Sequence, residues 1–230
     1  MTDNPAITTG ISRSASTHES FYQLRTNLSL VPGPPVKTVL IASALPREGR
    51  STVAASLALA CAEGARSVLL VDADFRNPCQ HANFNINNVS GLAQVLGRAD
   101  MHECQVKQVH PWLDVLTSGP LPANPPDLLA SPVMTGLVQF LREKYDLVIF
   151  DSPAVARVTD AVALAHAVDG VLLVIKAAST TRQQAHSAVS QLRRANPRIL
   201  GAVLNAAALD ADACGSAPSA GPPNAGGGSP

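Results

Sequence analysis

The stretch Thr38-Val39-Leu40-Ile41-Ala42-Ser43-Ala44-Leu45-Pro46-Arg47-Glu48-Gly49-Arg50-Ser51-Thr52 passes from a short apolar run through a polar loop into an Ala-rich segment. The run predicts a strand and the Ala-rich residues 52 to 63 a helix. A loop at this junction turns successive backbone N–H groups inward, at the positive end of the following helix, where phosphate oxygens bind. Gly49 allows close backbone approach and Ser51 supplies a hydroxyl. Against the phosphate-loop pattern G-x-x-x-x-G-K-[ST], however, position 44 is alanine and position 50 is arginine. Taken alone, the segment also reads as a strand-to-helix turn capped by Ser51 or Thr52.

Outward from the loop, short apolar runs alternate with longer helical ones. Strands are predicted at 68 to 71, 113 to 116, 147 to 150, 171 to 175 and 199 to 204. Helices are predicted at 18 to 30, 91 to 97, 126 to 143, 158 to 167 and 181 to 195. Near-continuous apolar strands separated by helices are covered on both faces, so the fold class is α/β, a doubly wound, mostly parallel sheet flanked by helices. Residues 1–17 carry no hydrophobic period and read as a flexible arm. The folded domain is placed at 18–205, and the Ala/Gly/Pro-rich residues 206–230 read as a disordered tail.

Two strands run into acids. Val71 leads to Asp72-Ala73-Asp74, and Phe150 leads to Asp151-Ser152-Pro153. The carboxyl edge of an open parallel sheet is where ligands bind. Asp72 and Asp74, two residues apart on an extended tip, are expected to point the same way and to repel unless a cation lies between them, which suggests magnesium. Asp151 is similar to the second acidic motif of P-loop proteins, which reaches the magnesium through water; its alternative is a cap for the residues after Ser152.

Bulk properties narrow the classes. The chain has 230 residues, 46% apolar, with 17 basic and 17 acidic side chains, so it offers no basic excess for nucleic acid. Its 4 cysteines lack CxxC pairing, which indicates neither zinc nor a disulfide framework. The polar N-terminus has no secretory pattern, and no apolar run approaches the ~18 residues of a membrane span. These features lead to the expectation of a cytoplasmic protein.

Between about residues 18 and 205 the sequence resembles the bacterial tyrosine kinase family of capsular and exopolysaccharide synthesis. The resemblance rests on Leu24-Arg25-Thr26-Asn27, Pro46 to Thr52, Val71 to Pro78, Gly91-Leu92, Gly119 to Pro125, Tyr145 to Pro153, Val168 to Val174 and Gly201 to Asn205. It implies a P-loop NTPase-like kinase that binds ATP and Mg2+. Arg47, Glu48, Gly49, Arg50, Ser51 and Thr52 would lie around the nucleotide. Ser51, Asp72, Asp74 and Asp151 would surround the metal, with Arg50, Asp72 and Asp74 as the catalytic set. Asn205 matches a position that contacts the base in related ATPases, and reads equally as a strand-ending turn. The resemblance further implies activation by a cytoplasmic segment of a membrane-spanning polysaccharide chain-length regulator, peripheral placement at the membrane, and a ring-like homo-oligomer.

The chain departs from that family's pattern in three places. Arg50 replaces the loop lysine and Arg47 a glycine; a planar guanidinium can bind phosphate yet fail to follow the transferring group. The tail has no tyrosine, which excludes tail autophosphorylation; only Tyr22 and Tyr145 are present. The N-terminal helix reads Glu19-x-x-Tyr22-x-x-Arg25 where the family has Glu-x-x-Arg-x-x-Arg, which weakens the case for a ring. A catalytically impaired nucleotide-binding regulator is therefore an alternative. A partitioning or cell-division ATPase is another, although Ala42 to Arg47 lacks the extra lysine of that group. The histidines show no ligand spacing. Trp112 is expected in the core.

Overall fold

The computed structural model describes residues 15–100, 105–155 and 160–207. The first helix, α1 (Ala15–Ser29), precedes β1 (Thr38–Ser43), α2 (Arg50–Glu63), β2 (Val68–Asp72), α3 (Gln80–Asn83) and α4 (Leu92–Arg98). Then follow β3 (Lys107–His110), β4 (Leu113–Leu116), α5 (Pro125–Leu129), α6 (Pro132–Lys144) and β5 (Leu147–Asp151). The remaining elements are α7 (Asp160–Ala165), β6 (Gly170–Lys176), α8 (Arg182–Leu192) with a short 3-10 turn, and β7 (Ile199–Asn205).

The 7-stranded sheet has the order β3-β4-β2-β5-β1-β6-β7, and every pairing is parallel except β3 with β4. Every residue of β1, β2 and β5 is buried. Alternate side chains serve opposite faces, because the strand period is two. Leu40, Leu69, Val71, Val148, Phe150 and Leu173 pack with Leu137 and Leu141 of α6, Leu164 of α7 and Leu192 of α8. Val39, Ile41, Val68, Leu70, Ile149 and Val174 pack with Val53 and Leu57 of α2 and Leu28 of α1. Full burial of each large aliphatic side chain contributes roughly 1.5–3 kcal/mol.

Several sequence expectations change here. The helix expected at 126 to 143 is two helices. Pro132 has no N–H to give, so it opens α6 at the first turn, and the Ser131 hydroxyl caps that turn by accepting from the Met134 N–H at 3.2 Å. The antiparallel β3 was hidden because its Lys, Gln and His are not strand-like; it is a half-exposed edge beside β4. Trp112 is not in the core: it is 49% exposed, and its backbone carbonyl accepts from the Val68 N–H. α1 begins at Ala15, so it takes in the end of the expected arm. Residues 1–14, the start of the helix expected at 158, and the expected tail from 208 onward lie outside the described residues.

One close approach fixes α4 against the sheet. A Cβ at Gly91 would lie 2.0 Å from the Thr117 carbonyl oxygen and 2.5 Å from the Gly119 nitrogen, both backbone atoms that cannot move aside cheaply. Gly91→Ala is therefore expected to cost on the order of 2–3 kcal/mol, seen as a lowered urea midpoint with an unchanged slope.

Candidate functional site

β1, β2 and β5 end side by side, with Ile41 and Asp72 both in register with Asp151. The loop of residues 44–49 arches over this edge and delivers α2. Gly49 has φ +82°, the left-handed region that favours glycine. Arg47 lies in the same region at φ +64°, where the family pattern has glycine. The first intrahelical bond of α2 runs from the Val53 N–H to the Gly49 carbonyl at 2.9 Å. The amides of residues 49–52 precede it and have no partner within the helix, the usual condition of a helix N-terminus. Of these residues, Arg50 and Ser51 line an open cleft of about 950 Å³, together with Pro46, Arg47, Asp74 and Arg76, among others.

Other side chains hold the loop. The Glu48 carboxylate accepts from the Leu45 N–H at 2.8 Å and also from the Thr180 hydroxyl. The Asn205 side-chain amide donates to the Glu48 carbonyl at 2.8 Å, so it braces the loop from the end of β7. Asn205 also lines a second groove of about 430 Å³ with Thr52, Leu204 and residues of α1.

Arg50 lines the cleft, but its guanidinium is turned toward the strand ends. Only 9% of the residue is exposed. Its Nη2 donates to Asp74 Oδ2 at 2.7 Å, its Nε to Asp151 Oδ1 at 3.0 Å and its Nη1 to Ser43 Oγ at 3.1 Å. Burial opposes its charge, but Asp151 and Asp74 outweigh that and raise its pKa. Gln80, which the sequence reading passed over, donates from Nε2 to Asp151 Oδ2 at 2.8 Å and to the Ser51 carbonyl at 3.1 Å. The Ser51 hydroxyl lies in hydrogen-bond reach of the Cys79 thiol, which burial pushes up to about 12.

Asp72 and Asp74 do not project together as expected. β2 ends at Asp72, and the turn that follows gives each acid its own partners. Asp72 accepts from the Cys79 and Gln80 N–H groups at 2.9 Å and from the Asp74 N–H at 3.2 Å. Asp74 accepts from the Asn77 N–H at 3.1 Å, besides Arg50. Both oxygens of Asp72, Asp74 and Asp151 thus already accept from a protein donor. Among the described residues, no group of three or more His, Cys, Asp or Glu side chains could hold a metal ion. Magnesium does not fit the carboxylates as they stand, because the Arg50 and Gln80 side chains hold Asp74 and Asp151 and backbone N–H groups hold Asp72.

Burial, followed by the nearby Asp151, pushes Asp72 up to about 8, against the pull of its amide donors. A folded-state pKa above the unfolded value means that the native protein binds the extra proton between the two. Stability attributable to this group is therefore present at low pH and lost as pH rises toward about 8. A falling melting temperature from pH 5 to 8 is expected, and Asp72→Asn should flatten it. Separately, Arg47→Gly relieves a left-handed non-glycine residue and should stabilise the fold by about 1 kcal/mol in denaturant titration.

Residues 37–199 match the AAA domain family. The chain is 40% identical over 81% of its length to tyrosine-protein kinase YwqD of Bacillus subtilis, covering 80% of that protein. It is 32% identical over 89% of its length to tyrosine-protein kinase CpsD of Streptococcus agalactiae, covering 89% of it. Among solved structures, the chimerical protein CapA2B2 superposes with a TM-score of 0.78 at 33% identity, over 84% of this chain and 85% of that one. The kinase domain of the Escherichia coli tyrosine kinase ETK gives 0.78 at 30% identity, over 84% and 78%. The Pyrococcus furiosus cell division ATPase MinD, at 23% identity and 0.62, shares the fold alone. A strand-ending acid pair, a second strand-ending acid and a loop entering a helix at the same sheet edge agree with these likenesses: the chain belongs to the bacterial tyrosine kinase family of capsular and exopolysaccharide synthesis.

Proposed function

We propose that this chain binds ATP at the loop and transfers its terminal phosphoryl group to a tyrosine of another protein, in the service of capsular or exopolysaccharide assembly. The reading is supported by one observation above the others: the first turn of α2, whose amides precede the first intrahelical bond, lines a cleft through Arg50 and Ser51 together with Arg47 and Arg76. Triphosphate oxygens would accept from those amides, at the positive end of the helix. The base would lie in the neighbouring groove beside Thr52 and Asn205. In the transfer, the tyrosine oxygen forms a bond to the terminal phosphorus as the bond to ADP breaks. The phenolic proton would pass to Asp74, the acid that lines the cleft. Asp72, tied to the start of α3, is a positioning residue.

The acceptor is assigned to another protein because both tyrosines of this chain are engaged. The Tyr22 hydroxyl donates to Glu63 at 2.8 Å and the Tyr145 hydroxyl to Asp114 at 2.7 Å. Arg25 of α1 is likewise turned inward, donating to the Ala60 carbonyl at 2.7 Å and lying over the Tyr22 ring. The proposal therefore assigns no ring contact to Arg25. The chain spans only 27% of the relative named Etk and 22% of that named EpsB, which are much longer proteins. Here the corresponding partner would be the cytoplasmic segment of a separate membrane-spanning chain-length regulator, holding the kinase at the inner membrane face. No described helix is long and apolar enough to cross a membrane.

Arg50 sets the rate in this reading. Its guanidinium is held by two carboxylates, so it cannot accompany the moving phosphoryl group as a lysine can. With radiolabelled ATP and a tyrosine-bearing acceptor, Arg50→Lys is expected to raise kcat about tenfold or more. An unchanged kcat would show that Arg50 does not limit transfer. Absence of transfer by both proteins, with the partner segment present, would overturn the kinase reading and leave a nucleotide-binding regulator of chain length or export.

A further inference from the structure

Arg50 carries a positive charge into the place where the sequence pattern calls for a divalent cation. Its guanidinium joins three separate pieces of chain: Ser43 at the end of β1, Asp74 after β2, and Asp151 at the end of β5. Gln80 takes the remaining oxygen of Asp151. Resting on the nucleotide-binding reading above, we propose that Arg50 is a resident counter-ion for Asp74 and Asp151, and that this chain binds ATP without a requirement for magnesium.

Charge and geometry both lead there. A metal ion entering between Asp74 and Asp151 would have to evict a guanidinium held at 2.7 and 3.0 Å in a site where only 9% of the arginine is exposed. Separating a mostly buried arginine from two carboxylate partners is unfavourable, since each charge then loses its nearest counter-charge. Lysine differs: its single ammonium on a flexible stem can leave the acids for the outer phosphates, so the carboxylates become free for a metal. The phosphates do not lack positive partners without magnesium. The amides at the start of α2 would donate to them where Arg50 and Ser51 line the cleft, and Arg47 and Arg76 line it too, Arg76 paired at 3.4 Å with Asp160. The bound triphosphate thus has two guanidinium groups and a helix N-terminus in place of an ion.

Two measurements on the full chain test this. Calorimetric titration with ATP should give wild-type dissociation constants that agree within about threefold in EDTA and in magnesium, whereas Arg50→Lys should bind at least about tenfold tighter with magnesium. Manganese alone, followed by its paramagnetic resonance without nucleotide, should stay free at about millimolar concentration with wild type and be taken up by Arg50→Ala, whose Asp74 and Asp151 have lost their partner. Circular dichroism checks that each variant is folded, and the wild-type measurements need no variant. A tenfold or greater magnesium dependence of wild-type ATP binding, or manganese uptake by wild type, overturns this proposal alone. No ATP binding by wild type and Arg50→Lys under either condition overturns the nucleotide reading together with it.

Discussion

The buried pairing of Arg50 with Asp74 and Asp151 is the constraint around which the functional edge of the sheet is organised. Three parallel strands end at one place, and their polar tips must be satisfied out of water. A single planar side chain does most of this, bridging β1, β5 and the turn after β2. Gln80 completes it by joining Asp151 to the Ser51 carbonyl, which ties the start of α2 to the neighbouring strand. Removing one member of such a group leaves a buried charge uncompensated, at a typical cost of about 3–5 kcal/mol. The same contacts therefore set local stability and decide which charges remain for a ligand.

The fold was legible because its central strands are apolar over their whole length. Runs such as Val68-Leu69-Leu70-Val71 and Leu147-Val148-Ile149-Phe150 demand cover on both faces, and the intervening helical segments supply it. What escaped lies where polarity and proline intervene. β3 is held by hydrogen bonds to a neighbour rather than by its own pattern, and the split between α5 and α6 turns on one proline with a serine before it. Trp112 misled because its size suggested burial, whereas its position after Pro111 in a tight turn leaves the ring outside.

At the site, residue identities were readable but their partners were not. The sequence marks Asp72, Asp74, Asp151 and the loop as neighbours on one edge. It does not show that Asp72 turns to the α3 amides while Asp74 turns to arginine, because that depends on the turn between them. Gln80 could have been found only by asking which side chain near Pro78 can donate to a strand-ending acid. Arg50 and Arg47 were visible as departures from a pattern, and the structure gives each a physical consequence: one is locked in a carboxylate pair, and the other occupies a left-handed backbone.

The loop also depends on residues far along the chain. Its Glu48 carbonyl is held by Asn205 and its Glu48 carboxylate by Thr180, while a Cβ at Gly49 would lie 2.0 Å from the Asn205 amide. Proteins are made from the N-terminus, so the strands on either side of the loop emerge from the ribosome long before its two clamps do. A chain made only as far as β5 lacks both Thr180 and Asn205, and so lacks these two clamps on the loop. The bracing of the loop by Asn205 is therefore available only once β7 has been made.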